Sequence, residues 1–189
     1  MGILCPSFVC GQVLSAYFYG EMLMRNNTRY LVHGAILAAL YAVLCYLQNL
    51  ILPGSASAMI QVRLAEALCV FAFFTPAAIG GLTVGCLIFN LSNAAMPVDI
   101  LLGAAATFLA TGAMYLTRKI TWKGFPLLGI WMPTLFNALI IGWMLSVYVG
   151  GGFWLNAMYV GIGETIAVLV FGTILFFAMK LRNLDKRLF

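Results

Sequence analysis

The chain has 189 residues, of which 64% are hydrophobic and 8% are charged, and its mean hydropathy is +1.05. Ordinary soluble domains carry about 25% charged residues, so this composition excludes that class. The net charge of +5 comes from short basic clusters beside apolar stretches, which is not the pattern of a nucleic-acid-binding surface. A membrane span needs about 20 apolar residues, so the sequence predicts one all-α, polytopic membrane domain.

Motifs for several chemistries are missing from the sequence. The five cysteines form no CxxC pair and no His/Cys cluster, and we interpret them as small buried residues. No GxxxxGK[ST], HExxH or GxSxG motif is present. We therefore expect no metal, no cofactor and no ATP site within this chain.

The first span is expected at about 31–52. Residues 1–24 are apolar but lack the basic start of a secretory signal, and we treat them as an extension of unknown role before a membrane domain at 25–189. The basic cluster Arg25–Arg29 predicts a polar stop between the two. Pro53–Met59, which follows the span, is rich in small residues and predicts a mobile lid.

Alanines follow the first span at helical spacing in two adjoining stripes. Ala35 and Ala39 form one stripe, and Ala38 and Ala42 form the other. Small residues four apart let helices approach closely in lipid. The spacing leaves open which stripe packs within the chain and which contacts a partner.

Five further spans are predicted, at about 60–74, 76–91, 97–117 and 125–149, with a sixth that ends at Lys180. Thr75 is the expected N-cap before Pro76. Pro133 should free a backbone carbonyl in the fifth span.

With six spans, one side carries nine of the ten basic residues: Arg25, Arg29, Arg118, Lys119, Lys123, Lys180, Arg182, Lys186 and Arg187. This asymmetry predicts that both termini are cytoplasmic.

Polar residues converge on the outer half of this topology. They are candidate substrate-binding residues because polar side chains are rare within spans and are usually functional. With the aromatic residues beside them, they predict an externally open pocket for a small polar molecule. The set is Gln61, Arg63, Glu66, Asn90, Asp99, Asn137, Trp154, Asn156, Tyr159 and Glu164.

Two of these residues also have simpler interpretations. Arg63 and Glu66 are three residues apart on one helix and can pair with each other. Asp99 lies in the first turn of a span, where an acid suits the helix dipole, so a capping role competes with binding.

Five segments resemble a known family. They are IQVRLAEAL at Ile60–Leu68, FTPAAIG at Phe74–Gly80, DILLG at Asp99–Gly103, FNALIIG at Phe136–Gly142 and FWLNAMYVGIGE at Phe153–Glu164. Together they resemble the QueT family, the queuosine-precursor substrate-binding (S) components of energy-coupling factor (ECF) transporters.

The resemblance implies a six-helix subunit in the cell membrane that works with one transmembrane coupling protein and two cytoplasmic ATPases. It also implies that an Ala-xxx-Ala face, drawn from Ala35, Ala38, Ala39 and Ala42, docks on the coupling protein. Within that role, a carboxylate would accept the paired donors of a 7-deazaguanine, and we favour Glu164 over Glu66.

Three other functions are considered. The chain could bind another vitamin-like solute, such as riboflavin or thiamine. An intramembrane enzyme would use Glu66 and Glu164 as acid and base, but no nucleophile–base pair or metal cluster accompanies them. A structural or assembly protein would not need the outer polar pocket.

Overall fold

The computed structural model describes residues 7–53, 63–93, 97–122 and 124–182, with side chains described from residue 27 onward. Gln61, Lys123, Lys186, Arg187 and all of the predicted lid after Pro53 therefore lie outside the described residues. Within these ranges the chain is built of helices, which confirms the all-α prediction for the described part. In chain order they are α1 Ser7–Ile51, α2 Leu64–Phe73, α3 Ala77–Asn93, α4 Pro97–Thr117, α5 Leu127–Tyr148 and α6 Phe153–Leu181.

Four helical segments of the described chain are long and apolar enough to cross a membrane. They are Asn27–Ile51 in α1, together with α4, α5 and α6. The helices α2 and α3 are apolar but shorter. The chain is thus a multi-pass membrane protein by length and composition, while six crossings and cytoplasmic termini stay predictions.

The first helix differs from its sequence-based prediction. It runs without interruption through Arg25–Arg29, where the sequence predicts a polar stop. Polar and basic residues are compatible with helix geometry, so a charge cluster can mark a membrane boundary without ending the helix.

Two helices depart from regular α geometry. All of α2 is a 3₁₀-helix, and Ile166–Gly172 of α6 forms a π-helical segment. Such segments are uncommon and often occur at functional sites. Here they pack together: a Cβ added at Gly172 would lie 3.0 Å from Cγ2 of Val70.

Two of the predicted local features occur in the structure. Thr75 Oγ1 accepts a hydrogen bond from the backbone N–H of Ala77 at 3.2 Å, which confirms the N-cap. Pro133 lies in the first turn of the second part of α5, Met132–Tyr148. Pro133 has no N–H to donate to the carbonyl of Gly129, four residues earlier. That carbonyl accepts a hydrogen bond from the N–H of Trp131 instead.

A close crossing of α1 and α3 determines which alanine stripe faces inward. A Cβ added at Gly81 would lie 2.5 Å from the Gly34 carbonyl oxygen, and one added at Gly85 would lie 2.6 Å from that of Ala38. The two backbones can approach this closely only because glycine has no side chain. The stripe of Ala38 and Ala42 is accordingly buried.

The other alanine stripe is open. Ala35 and Ala39 are exposed. Ala35 lines a shallow, almost entirely apolar groove of about 340 Å³, with Gly80 and Val84 of α3 on its other wall. The structure thus separates an internal stripe from an external one, which the spacing alone could not do.

Candidate substrate-binding site

Arg63 connects three helices at one end of the bundle. It precedes α2 with an extended backbone, and its side chain is only 3% exposed. Its Nη2 lies 3.5 Å from Oδ2 of Asp99 in the first turn of α4 and donates to Oδ1 of Asn90 at 3.3 Å. Asn90 Nδ2 in turn donates to the backbone carbonyl of Asp99 at 3.1 Å.

This cluster depends on a glycine in α4. A Cβ added at Gly103 would lie 2.5 Å from Nδ2 of Asn90 and 3.3 Å from Oδ1 of Asp99. Any side chain there would displace the amide that holds α3 against α4. Asp99, for which the sequence left capping and binding open, forms a buried ion pair with Arg63.

The ion pair shown for Arg63 is with Asp99, and both carboxylate oxygens of Glu66 have other partners. Oε1 accepts hydrogen bonds from the Tyr41 hydroxyl at 2.5 Å and from Thr107 Oγ1 at 3.2 Å. Oε2 accepts the Cys69 thiol at 3.0 Å. Glu66 is therefore fully engaged in joining α1, α2 and α4.

Glu164, in contrast, is incompletely bonded. Glu164 is 1% exposed, Glu66 and Arg63 act on its carboxyl group electrostatically, and the Asn137 side chain lies within reach of that group. Nevertheless Glu164 Oε2 and Asn137 Nδ2 have no hydrogen-bond partner among the described residues, and neither have Asp99 Oδ1 and Thr134 Oγ1. A buried polar atom without a partner costs about 1–3 kcal/mol, so such atoms point to a ligand or water that completes them.

The charges of this region are unbalanced. Glu66, Asp99 and Glu164 supply three buried carboxyl groups, whereas Arg63 supplies one guanidinium. Neither residues 54–62 nor residues 94–96, which fall outside the described chain, contain a charged side chain. Because a buried carboxyl group needs hydrogen-bond partners, the arrangement favours neighbouring donors over a further anion.

A family model described as QueT transporter matches residues 31–181, which covers the polar site and every described helix in whole or in part. The chain belongs to the QueT transporter family. Comparisons with curated proteins and with solved structures gave no match. The family indicates a transporter rather than an enzyme, and no group of three or more metal-ligating side chains occurs among the described residues.

Not every candidate lies within this QueT polar site. Trp154 is 75% exposed and its ring contacts Phe153, which is typical of an aromatic residue at a membrane surface. Tyr159 is half-buried. Asn156 is buried, but its Nδ2 donates to the carbonyl of Gly150 at 3.0 Å and thereby holds the glycine turn before α6.

Residues that the sequence did not single out complete the QueT site. Tyr41 and Thr107 bind Glu66, and Thr134 adds an unpartnered hydroxyl one turn before Asn137. Hydroxyl residues are common in membrane helices, where they usually bond to the preceding turn. Their spacing alone therefore gave no signal, and only the packing of the helices identifies them.

Proposed function

We propose that the chain is the substrate-binding S component of an ATP-driven ECF importer in the cell membrane, and that its solute is a queuosine precursor of the 7-deazaguanine type. The observation that carries the proposal is the set of buried polar atoms on α4, α5 and α6 that have no hydrogen-bond partner among the described residues. A few such polar groups among apolar side chains are what orients a small solute in a binding site.

The chemistry of these atoms suits the guanine-like edge of a 7-deazaguanine. That edge offers a ring N–H and an exocyclic amine side by side, which one carboxylate accepts in parallel. Glu164 has an open carboxylate oxygen, whereas Glu66 has none. The open Nδ2 of Asn137 can donate to the ring carbonyl, a role that Asn90 cannot readily take because both ends of its amide are engaged.

The partner proteins are proposed from the external alanine stripe. Ala35 and Ala39 are exposed and Ala35 lines an apolar groove, which is the kind of surface that a second closely packed helix needs. We infer that the transmembrane coupling protein docks there, and that the two cytoplasmic ATPases supply the energy that this chain cannot.

Equilibrium binding of a radiolabelled 7-deazaguanine to the purified chain, without partners, tests the solute assignment. Saturable 1:1 binding that excess unlabelled guanine weakens and riboflavin does not would support it. The excess of carboxyl groups also suits a cationic vitamin, so thiamine is the second candidate. Tighter binding of thiamine than of any 7-deazaguanine would transfer the assignment to that solute, and binding of neither would contradict both solute assignments.

A further inference from the structure

A pocket of about 290 Å³ lies at the end of the bundle opposite the polar site. Arg118 and Lys180 line it, together with Thr121 and the rings of Phe73, Phe74 and Phe176. Asp99 and Arg118 stand at the two ends of α4, whose 21 residues span about 30 Å at 1.5 Å per residue. The pocket and the polar site are therefore separate.

The aromatic wall of the pocket is firmly packed. Phe176 is buried, stacks on Phe74 at 5.6 Å between centroids, and meets Phe73 edge-on at 6.0 Å. The Lys180 ammonium lies 5.8 Å from the Phe176 ring centroid. A rigid apolar wall with a cation at its edge can bind a group that is charged at one end and apolar at the other.

The Arg118 guanidinium is held in place but has donors to spare. Its carbon lies 3.5 Å from the Tyr115 ring centroid, and Nη1 donates to the Tyr115 carbonyl at 3.4 Å. Arginine has five N–H donors, so most of them remain for a ligand.

Neither cation has a carboxylate partner within the described chain. The described acidic side chains, Glu66, Asp99 and Glu164, are all buried in or beside the polar site. The ion pair formed by described residues joins Arg63 and Asp99 and does not involve the pocket. Asp185 lies outside the described residues. Two cations that line one pocket favour an anion, and planar guanidinium groups bind phosphate especially well.

From these observations we propose that the pocket binds the phosphate of an anionic phospholipid headgroup. Leu116 and Leu181, close in sequence to Arg118 and Lys180, are each 80% exposed and offer an apolar surface for the acyl chains. Basic pockets between membrane helices on the cytoplasmic side are known sites for acidic lipids, and the distribution of basic residues predicts that this end is cytoplasmic. Free phosphate carries the same charged group as the headgroup, but it has no acyl chains to contact the apolar surface.

Native mass spectrometry of the full chain, released from mixed micelles of phosphatidylglycerol and phosphatidylcholine, tests the proposal. We expect one phosphatidylglycerol to be retained under activation that removes phosphatidylcholine. In a titration, Arg118→Gln/Lys180→Gln should bind phosphatidylglycerol roughly tenfold or more weakly than the wild type. Each basic residue near a membrane surface strengthens the binding of an anionic lipid about fivefold. Lys119→Gln is the matched control, because Lys119 is exposed and does not line the pocket.

Two further arms keep the result unambiguous. Arg118→Lys retains the charge and should retain most of the lipid, which separates loss of binding from loss of folding. Equal retention of the two lipids by the wild type, or unchanged titration of the double variant, would overturn the proposal. Complete displacement of the lipid by millimolar inorganic phosphate would reassign the pocket to free phosphate.

Discussion

The guanidinium Nη2 of Arg63 lies 3.5 Å from Oδ2 of Asp99, and both side chains are buried. The pair ties the start of α2 to the first turn of α4, and Asn90 of α3 joins it through Arg63 and through the Asp99 backbone. It thereby fixes three helices at the end of the bundle where the polar site lies.

We expect Asp99→Asn to destabilise the protein by about 3 kcal/mol, because it breaks the buried ion pair with Arg63. Arg63→Met/Asp99→Leu should recover much of this loss, since it removes both charges together. Thermal unfolding in detergent measures the effect, with the exposed Lys119→Gln as an unaffected control. A double variant no more stable than Asp99→Asn would argue against the pairing.

The sequence singled out polar residues that the structure buries, but not their partners. Arg63, Glu66, Asn90, Asp99, Asn137 and Glu164 are all buried, as expected for polar residues within apolar helices. The i, i+3 spacing of Arg63 and Glu66 suggested a pair, but Arg63 precedes α2 in an extended conformation and its side chain extends towards α4. Partners across helices depend on packing, which spacing does not encode.

The two alanine stripes show the same limit. Both have the same four-residue period, so both were candidates for docking. Which stripe turned inward was decided by Gly81 and Gly85 on a different helix, which admit α1 at close range. A pattern within one helix cannot reveal the partner's surface.

We predict that Ala35→Leu and Ala39→Leu weaken assembly with the coupling protein while leaving solute affinity unchanged, because they enlarge an exposed face. Ala38→Leu and Ala42→Leu are the matched internal variants and should instead lower thermal stability by about 1–3 kcal/mol through overpacking. Co-purification of the four-part complex and thermal unfolding measure the two effects. An intact complex with both Ala35→Leu and Ala39→Leu would contradict docking at this stripe.

The distribution of basic residues predicts the orientation of the chain. In a background without other cysteines, single cysteines at Ser55, Met96 and Gly151 should react with a membrane-impermeant maleimide in intact cells. A cysteine at Lys123 should react only after the membrane is opened. External labelling at Lys123 would invert the proposed topology.

The sharpest prediction concerns the solute contact of Glu164. Glu164→Gln keeps the shape of the side chain but replaces an acceptor with a donor, which would oppose the donors of a 7-deazaguanine. We expect an affinity loss on the order of 2–3 kcal/mol, or roughly 30- to 150-fold, with little change in thermal stability. Radioligand binding and thermal unfolding on the same preparation give both values.

Glu66→Gln is the matched variant because Glu66 is equally buried but already bonded to Tyr41, Thr107 and Cys69. The same chemical change there should lower thermal stability more than it lowers affinity, since it disturbs contacts between helices of the empty protein. Comparing the two variants thus distinguishes a role in solute recognition from a role in helix packing. Glu164→Gln could instead lower thermal stability while the protein that remains folded binds the solute normally. In that case the carboxylate of Glu164 would stabilise the helix bundle, with water as its hydrogen-bond partner, and the proposed recognition would fail.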